Sequence, residues 1–145
     1  MSARMDDRLL IGWREQVELP DLGGLRVRAK IDTGAKTSAL HARNLRLEKE
    51  DGKTFALFEA HSAGRPKYRQ CRVEVAELRR VRSSNGQVER RPTIRTTLSM
   101  GGRSWPIYVT LTDRELMTYA MLIGREALDG RTLIDSQGSW LLGRD

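Results

Sequence analysis

Leu25-Arg26-Val27-Arg28-Ala29-Lys30-Ile31-Asp32-Thr33-Gly34-Ala35 is the stretch that decides the fold. Leu25, Val27, Ala29 and Ile31 alternate strictly with Arg26, Arg28 and Lys30. Successive side chains of a strand point to opposite faces, so a period of two predicts a strand with one buried and one solvated face. Working outward, the same alternation recurs at Cys71–Val73–Val75, at Ile107–Val109–Leu111 and in the paired segments Thr132–Ile134 and Trp140–Leu142. Turn signals fall between these runs at Gly23–Gly24, Asp51–Gly52, Asn85–Gly86, Gly101–Gly102 and Gln137–Gly138. The pattern predicts an all-β, mostly antiparallel protein with one short helix near the C-terminus, of roughly two turns from Glu126.

Composition narrows the class. A chain of 145 residues suits one domain, 1–145, and 39% hydrophobic with 31% charged residues lies in the globular range. The opening MSARMDDRLLIG holds an apolar run too short for a signal peptide, and no stretch approaches a membrane span. A cytoplasmic address is expected, with no membrane partner. The single cysteine, Cys71, cannot form an intrachain disulfide and reads as a half-buried strand residue.

Charge is uneven. Between Ser62 and Ser104 stand Arg65, Lys67, Arg69, Arg72, Arg79, Arg80, Arg82, Arg90, Arg91, Arg95 and Arg103 against only Glu74, Glu77 and Glu89. Unpaired guanidinium groups are prohibitively costly to bury, so this segment is expected to face solvent or an anionic partner. Nucleic acid is the less favoured partner, because the interleaved surface aromatics of a stacking platform are missing. An acidic peptide fits better.

Asp32-Thr33-Gly34 alone is three common residues at a turn. With its neighbours it resembles the retropepsin family of aspartic peptidases. Gly23-Gly24, the strand to Ile31, Asp32-Thr33-Gly34-Ala35, Thr37, Ser38 and Leu40 look like that family's first hairpin and active-site loop. Met121-Leu122-Ile123-Gly124-Arg125 resembles its second signature, and Glu126-Ala127-Leu128 with Arg131 to Ile134 its helix and terminal strand. Gly101-Gly102-Arg103 with the strand to Leu111 resembles another of its hairpins. The resemblance covers residues 22–142 and implies a closed β-barrel of the acid protease fold.

More narrowly, Ile31 to Ala42, Arg90-Arg91-Pro92 and Met121 to Leu128 are similar to a bacterial family of small retropepsin-like proteins often labelled ATP-dependent zinc proteases and associated with ATP-grasp ligases. The residues do not supply the chemistry of that label. Zinc hydrolases hold their metal with about three closely spaced N, O or S ligands, whereas His41, His61 and Cys71 are widely separated. No Gly-x-x-x-x-Gly-Lys-Ser/Thr run is present to bind ATP. No metal and no cofactor is therefore expected.

In the aspartic peptidases that the chain resembles, two carboxylates share one proton. The ionised one takes a proton from water while the other donates to the substrate carbonyl. A second Asp-Thr/Ser-Gly is missing here, so a homodimer with one Asp32 per subunit is implied. Thr33 would brace the two loops and Gly34 would permit their close approach. Ala35, Lys36, Thr37, Gly124 and Arg125 are the supporting positions. A lid is expected at Ser83-Ser84-Asn85-Gly86, flanked by Leu78 to Arg82 and Gln87 to Arg91. Where retroviral relatives carry two acids after the motif's alanine, this chain has Lys36 and Thr37, so Arg125 must find another partner. The reading is a homodimeric aspartic endopeptidase acting on peptide or protein, with acidic substrates favoured. Its alternatives are a non-catalytic peptide-binding module beside an ATP-grasp ligase, a zinc-dependent protease and a basic nucleic-acid-binding β domain.

Overall fold

Alternation along Leu25–Ile31 becomes burial in the computed structural model, which describes residues 6–82, 85–113 and 118–144. Leu25, Val27 and Ala29 are fully buried and Ile31 nearly so, while Arg26, Arg28 and Lys30 are exposed. The chain runs through β1 (Leu9–Ile11), β2 (Arg14–Leu19), β3 (Leu25–Ile31), β4 (Ser38–Glu50), β5 (Lys53–His61) and β6 (Tyr68–Glu74). It continues through β7 (Glu77–Arg82), β8 (Val88–Met100), β9 (Arg103–Thr112), β10 (Met121–Ile123), α1 (Arg125–Leu128) and β11 (Thr132–Ile134). The fold is all-β with one short helix, as the sequence predicts.

Hydrogen bonding closes the sheet into a ring. Strands follow the order β10-β3-β2-β8-β9-β4, and β10 also pairs with β4, so the first and last of the six meet. Most neighbours are antiparallel, but β10 with β3 and β4 with β9 run parallel. Beyond the ring, β5 and β6 extend from β4, and β7 forms a hairpin with the first half of β8. Inside lie Leu19, Leu25, Leu40, Ile94, Leu98, Val109, Leu111, Met121 and Ile123, each essentially without solvent contact. Burying such side chains contributes about 1.5–3 kcal/mol apiece, which is what fixes the register of every strand that carries one. The β8–β9 hairpin turns through Gly101 and Gly102 at φ of 59° and 76°, a left-handed pair that glycine adopts without strain.

Two expectations are corrected near the C-terminus. The helix is a single turn, Arg125–Leu128, and not two: Asp129 leaves helical geometry at ψ 129° and Gly130 follows at φ 75°. Trp140–Leu142 is no strand. Its backbone is captured by a buried carboxylate: Glu15 Oε2 accepts from Leu141 N at 3.0 Å and Oε1 from Leu142 N at 3.1 Å, while Trp140 turns to φ 58°. Oε2 also accepts from Gly12 N at 2.7 Å, so one fully buried side chain holds three backbone donors and ties both ends of the chain together.

Candidate active site

Asp32 is delivered to the end of β3 by the ladder that closes the ring. Its amide donates to Ile123 O at 2.9 Å, and its Oδ1 accepts from Gly34 N at 3.2 Å, a short local turn that orients the carboxylate. Ala35 N returns to Asp32 O at 3.2 Å. Asp32 is half-buried, while Thr33 and Gly34 are exposed at the tip of the loop.

The second signature is the floor under this loop. Arg125 N donates to Ala35 O at 2.9 Å, Glu126 N to Lys36 O at 3.1 Å and Gly124 N to Ser38 Oγ at 3.1 Å. Loop and helix approach so closely that a Cβ on Gly124 would lie 2.7 Å from Thr37 C and 2.9 Å from Ala35 O. That contact is with backbone, which explains a glycine here. The Arg125 guanidinium, deprived of the acids that Lys36 and Thr37 replace, donates from Nη1 to the carbonyls of Thr33 at 3.4 Å and Gly34 at 3.3 Å. It thus grips the Asp32 loop by its backbone.

The β7–β8 hairpin stands over the same place. A cleft of about 410 Å³ is lined by Asp32, Gly34, Ala35, Lys36 and Thr37 on one side and by Arg80, Val81, Arg82 and Arg91 of the hairpin on the other, with Ala39, Thr110 and Leu122 between. The hairpin strands thus form the wall of the cleft opposite Asp32. Asn85 and Gly86 are at its turn, where Asn85 Oδ1 accepts from Gln87 N at 3.1 Å; Ser84 and Ser83 lie outside the described residues. Asn85 borders a different concavity, shared with Leu45 and Asp113.

Two arginines here carry roles that the sequence does not announce. Arg79, on β7, donates from Nη1 to Thr37 Oγ1 at 3.2 Å and reaches Glu126 Oε1 at 3.4 Å, joining the hairpin to both the loop and α1. Arg91 is buried, contrary to the expectation that the basic segment faces outward, and its charge is met by Glu89 Oε1 at 2.5 Å. Runs of arginine in alternating strands look alike in sequence, so nothing marks which one turns inward. Arg80 and Arg82 remain exposed on the cleft.

His41 and His61 border one cavity, but Cys71 does not join them there. Cys71 pairs across strands with Phe58, and His61, three residues beyond Phe58 on β5, faces the other side of the sheet. Burial raises the Cys71 thiol pKa, and its Sγ lies 3.6 Å from Arg69 O. Among the described residues, no cluster of three or more His, Cys, Asp and Glu could hold a metal ion. No helix among them is long and apolar enough to cross a membrane.

Comparison with known proteins agrees with this architecture. Residues 10–142 match the model of a family described as RimB-like, retropepsin-like aspartic endopeptidase RimB. A protein named probable alpha-L-glutamate ligase from Shewanella halifaxensis is 38% identical over 141 residues, and one of the same name from Parasynechococcus marenigrum is 42% identical over 141. These alignments take in 96% of this chain but only 31% and 30% of the relatives, so the chain spans about a third of their length. A crystal structure of a protein of unknown function from Legionella pneumophila superposes with a TM-score of 0.75 at 26% identity, covering 92% of this chain and 98% of that one.

Proposed function

The chain belongs to the RimB-like family of retropepsin-like aspartic endopeptidases, and from that premise we propose that it is a homodimeric aspartic peptidase in which each subunit supplies Asp32. The observation that carries this reading is the Asp32 loop itself, fixed from below by Gly124 and Arg125 and facing the β7–β8 hairpin across the cleft. Two carboxylates brought within about 3 Å across a two-fold axis cannot both ionise, so they hold one proton between them. The charged one removes a proton from water, and the neutral one protonates the carbonyl oxygen as the tetrahedral intermediate forms. Exposed Thr33 and Gly34 are the groups available to meet the partner's loop. Leu10 and its cross-strand neighbour Leu133, on one face of the β1–β11 pair, offer exposed apolar surface for the pairing.

The substrate class follows from charge. Lys30 lies on the solvated face of β3 just before Asp32, Leu122 of the cleft pairs with Lys30, and Arg80 and Arg82 lie opposite. An acidic peptide meets complementary potential along this path. The relatives' naming as glutamate ligases supports a glutamate-rich substrate and a place beside such a ligase in the cytoplasm. The same naming favours a second reading, a peptide-binding module that serves a ligase without hydrolysis.

Digestion of a library of acidic and neutral peptides by the purified protein, with Asp32→Asn as control, tests both. Cleavage of acidic peptides that disappears in Asp32→Asn supports the peptidase. Binding without cleavage in either protein would replace it with the module.

A further inference from the structure

We propose that a second cavity, separate from the Asp32 cleft, is a binding site for a small dianion held by Arg28, His41, His61 and Lys67. This cavity of about 330 Å³ is lined by those four side chains with Ser62 and Tyr68 among its walls, and it shares no lining residue with the cleft. Arg28 lies four residues before Asp32 on β3, about 13 Å along an extended strand.

Its chemistry is one-sided. Arg28 and Lys67 bring two fixed positive charges, and no carboxylate is among the described residues that line it. Glu59, two residues before His61 and on the same face of β5, is already bound by Arg43 at 3.1 Å and by Asn44 at 2.6 Å. His41 and His61 stand one step past the Ala42–Ala60 pair on neighbouring strands, which brings two imidazoles to one cavity. His41 Nδ1 is buried and has no hydrogen-bond partner among the described residues, so a polar group at this wall is left for something else to satisfy. The His61 ring packs edge-on against Tyr68 at 5.3 Å, which fixes its orientation. Burial, followed by the positive charges of Lys67, His41, Arg28 and Arg43, lowers the pKa of His61. An anion among these groups would offset the positive charge that surrounds His61. Two fixed charges match a dianion, and the volume admits a molecule the size of inorganic phosphate or a five-carbon dicarboxylate.

The test is calorimetric titration of the full chain with inorganic phosphate and, separately, with glutarate, at constant ionic strength. Saturable one-to-one binding of either is expected, and which of the two binds tells a phosphate site from a dicarboxylate site. Arg28 and Lys67 are exposed, so Arg28→Gln and Lys67→Gln keep the fold, and each is expected to weaken binding about fivefold or more, as loss of a charge-assisted hydrogen bond does. Arg95→Gln, an exposed change of equal charge on β8, is expected to leave affinity unaltered. Asp32→Asn is expected to bind as wild type, which separates this site from the proposed peptidase. No saturable binding of either anion, an equal loss in Arg95→Gln, or loss of binding in Asp32→Asn would each overturn the proposal.

Discussion

Replacing Gly124 with alanine asks whether the Asp32 loop is held by the close approach beneath it. The added methyl would stand 2.7 Å from Thr37 C and 2.8 Å from Thr37 O, where an ordinary contact begins at 3.4 Å. Loop or helix must then give by about 0.7 Å, and both are backbone, so no side chain can swing aside to absorb it. Overpacking of this kind costs about 1–3 kcal/mol, which in a domain of this size lowers Tm by roughly 3–10 °C. The displacement falls on the residues bonded to Arg125 and Glu126, hence on the position of Asp32. A misplacement near 1 Å at reacting groups costs up to about 100-fold in rate. Gly124→Ala is therefore expected to melt lower by several degrees and to lose at least about tenfold in kcat on a cleaved peptide, measured by thermal denaturation and by steady-state hydrolysis. A variant that melts within a degree of wild type, or that hydrolyses at the wild-type rate, would refute the account of the floor.

Mixing wild-type and Asp32→Asn chains should reduce turnover as the square of the wild-type fraction, because a dimer with one carboxylate lacks either base or acid; a linear loss in a peptide assay would mean that each chain acts alone. Glu15→Gln replaces one carboxylate oxygen that accepts backbone N–H groups with a donor, and is expected to cost about 1–3 kcal/mol in urea denaturation. Chelation should leave hydrolysis unchanged, since a carboxylate pair activates water without a Lewis acid; activity lost to a chelator and restored by zinc would reverse that. Raising salt to physiological strength should weaken binding of acidic peptides more than of neutral ones, measured as the change in KM, because exposed charges such as Arg80 and Arg82 are screened over about 8 Å.

What the sequence reveals and what it hides divide along a physical line. Leu25 to Ile31 could be read residue by residue because a half-buried strand writes its two faces into a period of two. The link between the Asp32 loop and Gly124-Arg125 was legible only as a resemblance, since the contact joins segments some ninety residues apart. Glu15 was invisible: in Arg14-Glu15-Gln16-Val17 an acid looks like the solvated face, and only the folded chain shows three backbone donors aimed at it. The same carboxylate explains why alternation at Trp140–Leu142 misleads, because a side chain took the hydrogen bonds that a neighbouring strand would have used. His41 and His61, twenty residues apart, meet because β4 and β5 fold back on each other, and a pair of lone histidines carries no signal of that.

Ring closure through three-residue β10 has a consequence for biosynthesis. Met121–Ile123 pairs with β3 on one side and β4 on the other, so strands made early await a segment made some eighty residues later. Until residue 123 has left the ribosome, β3 and β4 each keep an unpaired edge, and an edge of this kind is a template for pairing with another chain. Closing so long a loop is slow as well as late. A nascent chain halted before Met121 should therefore be the form most prone to aggregate, and the arginines that alternate along β3 are the charges that hold such edges apart.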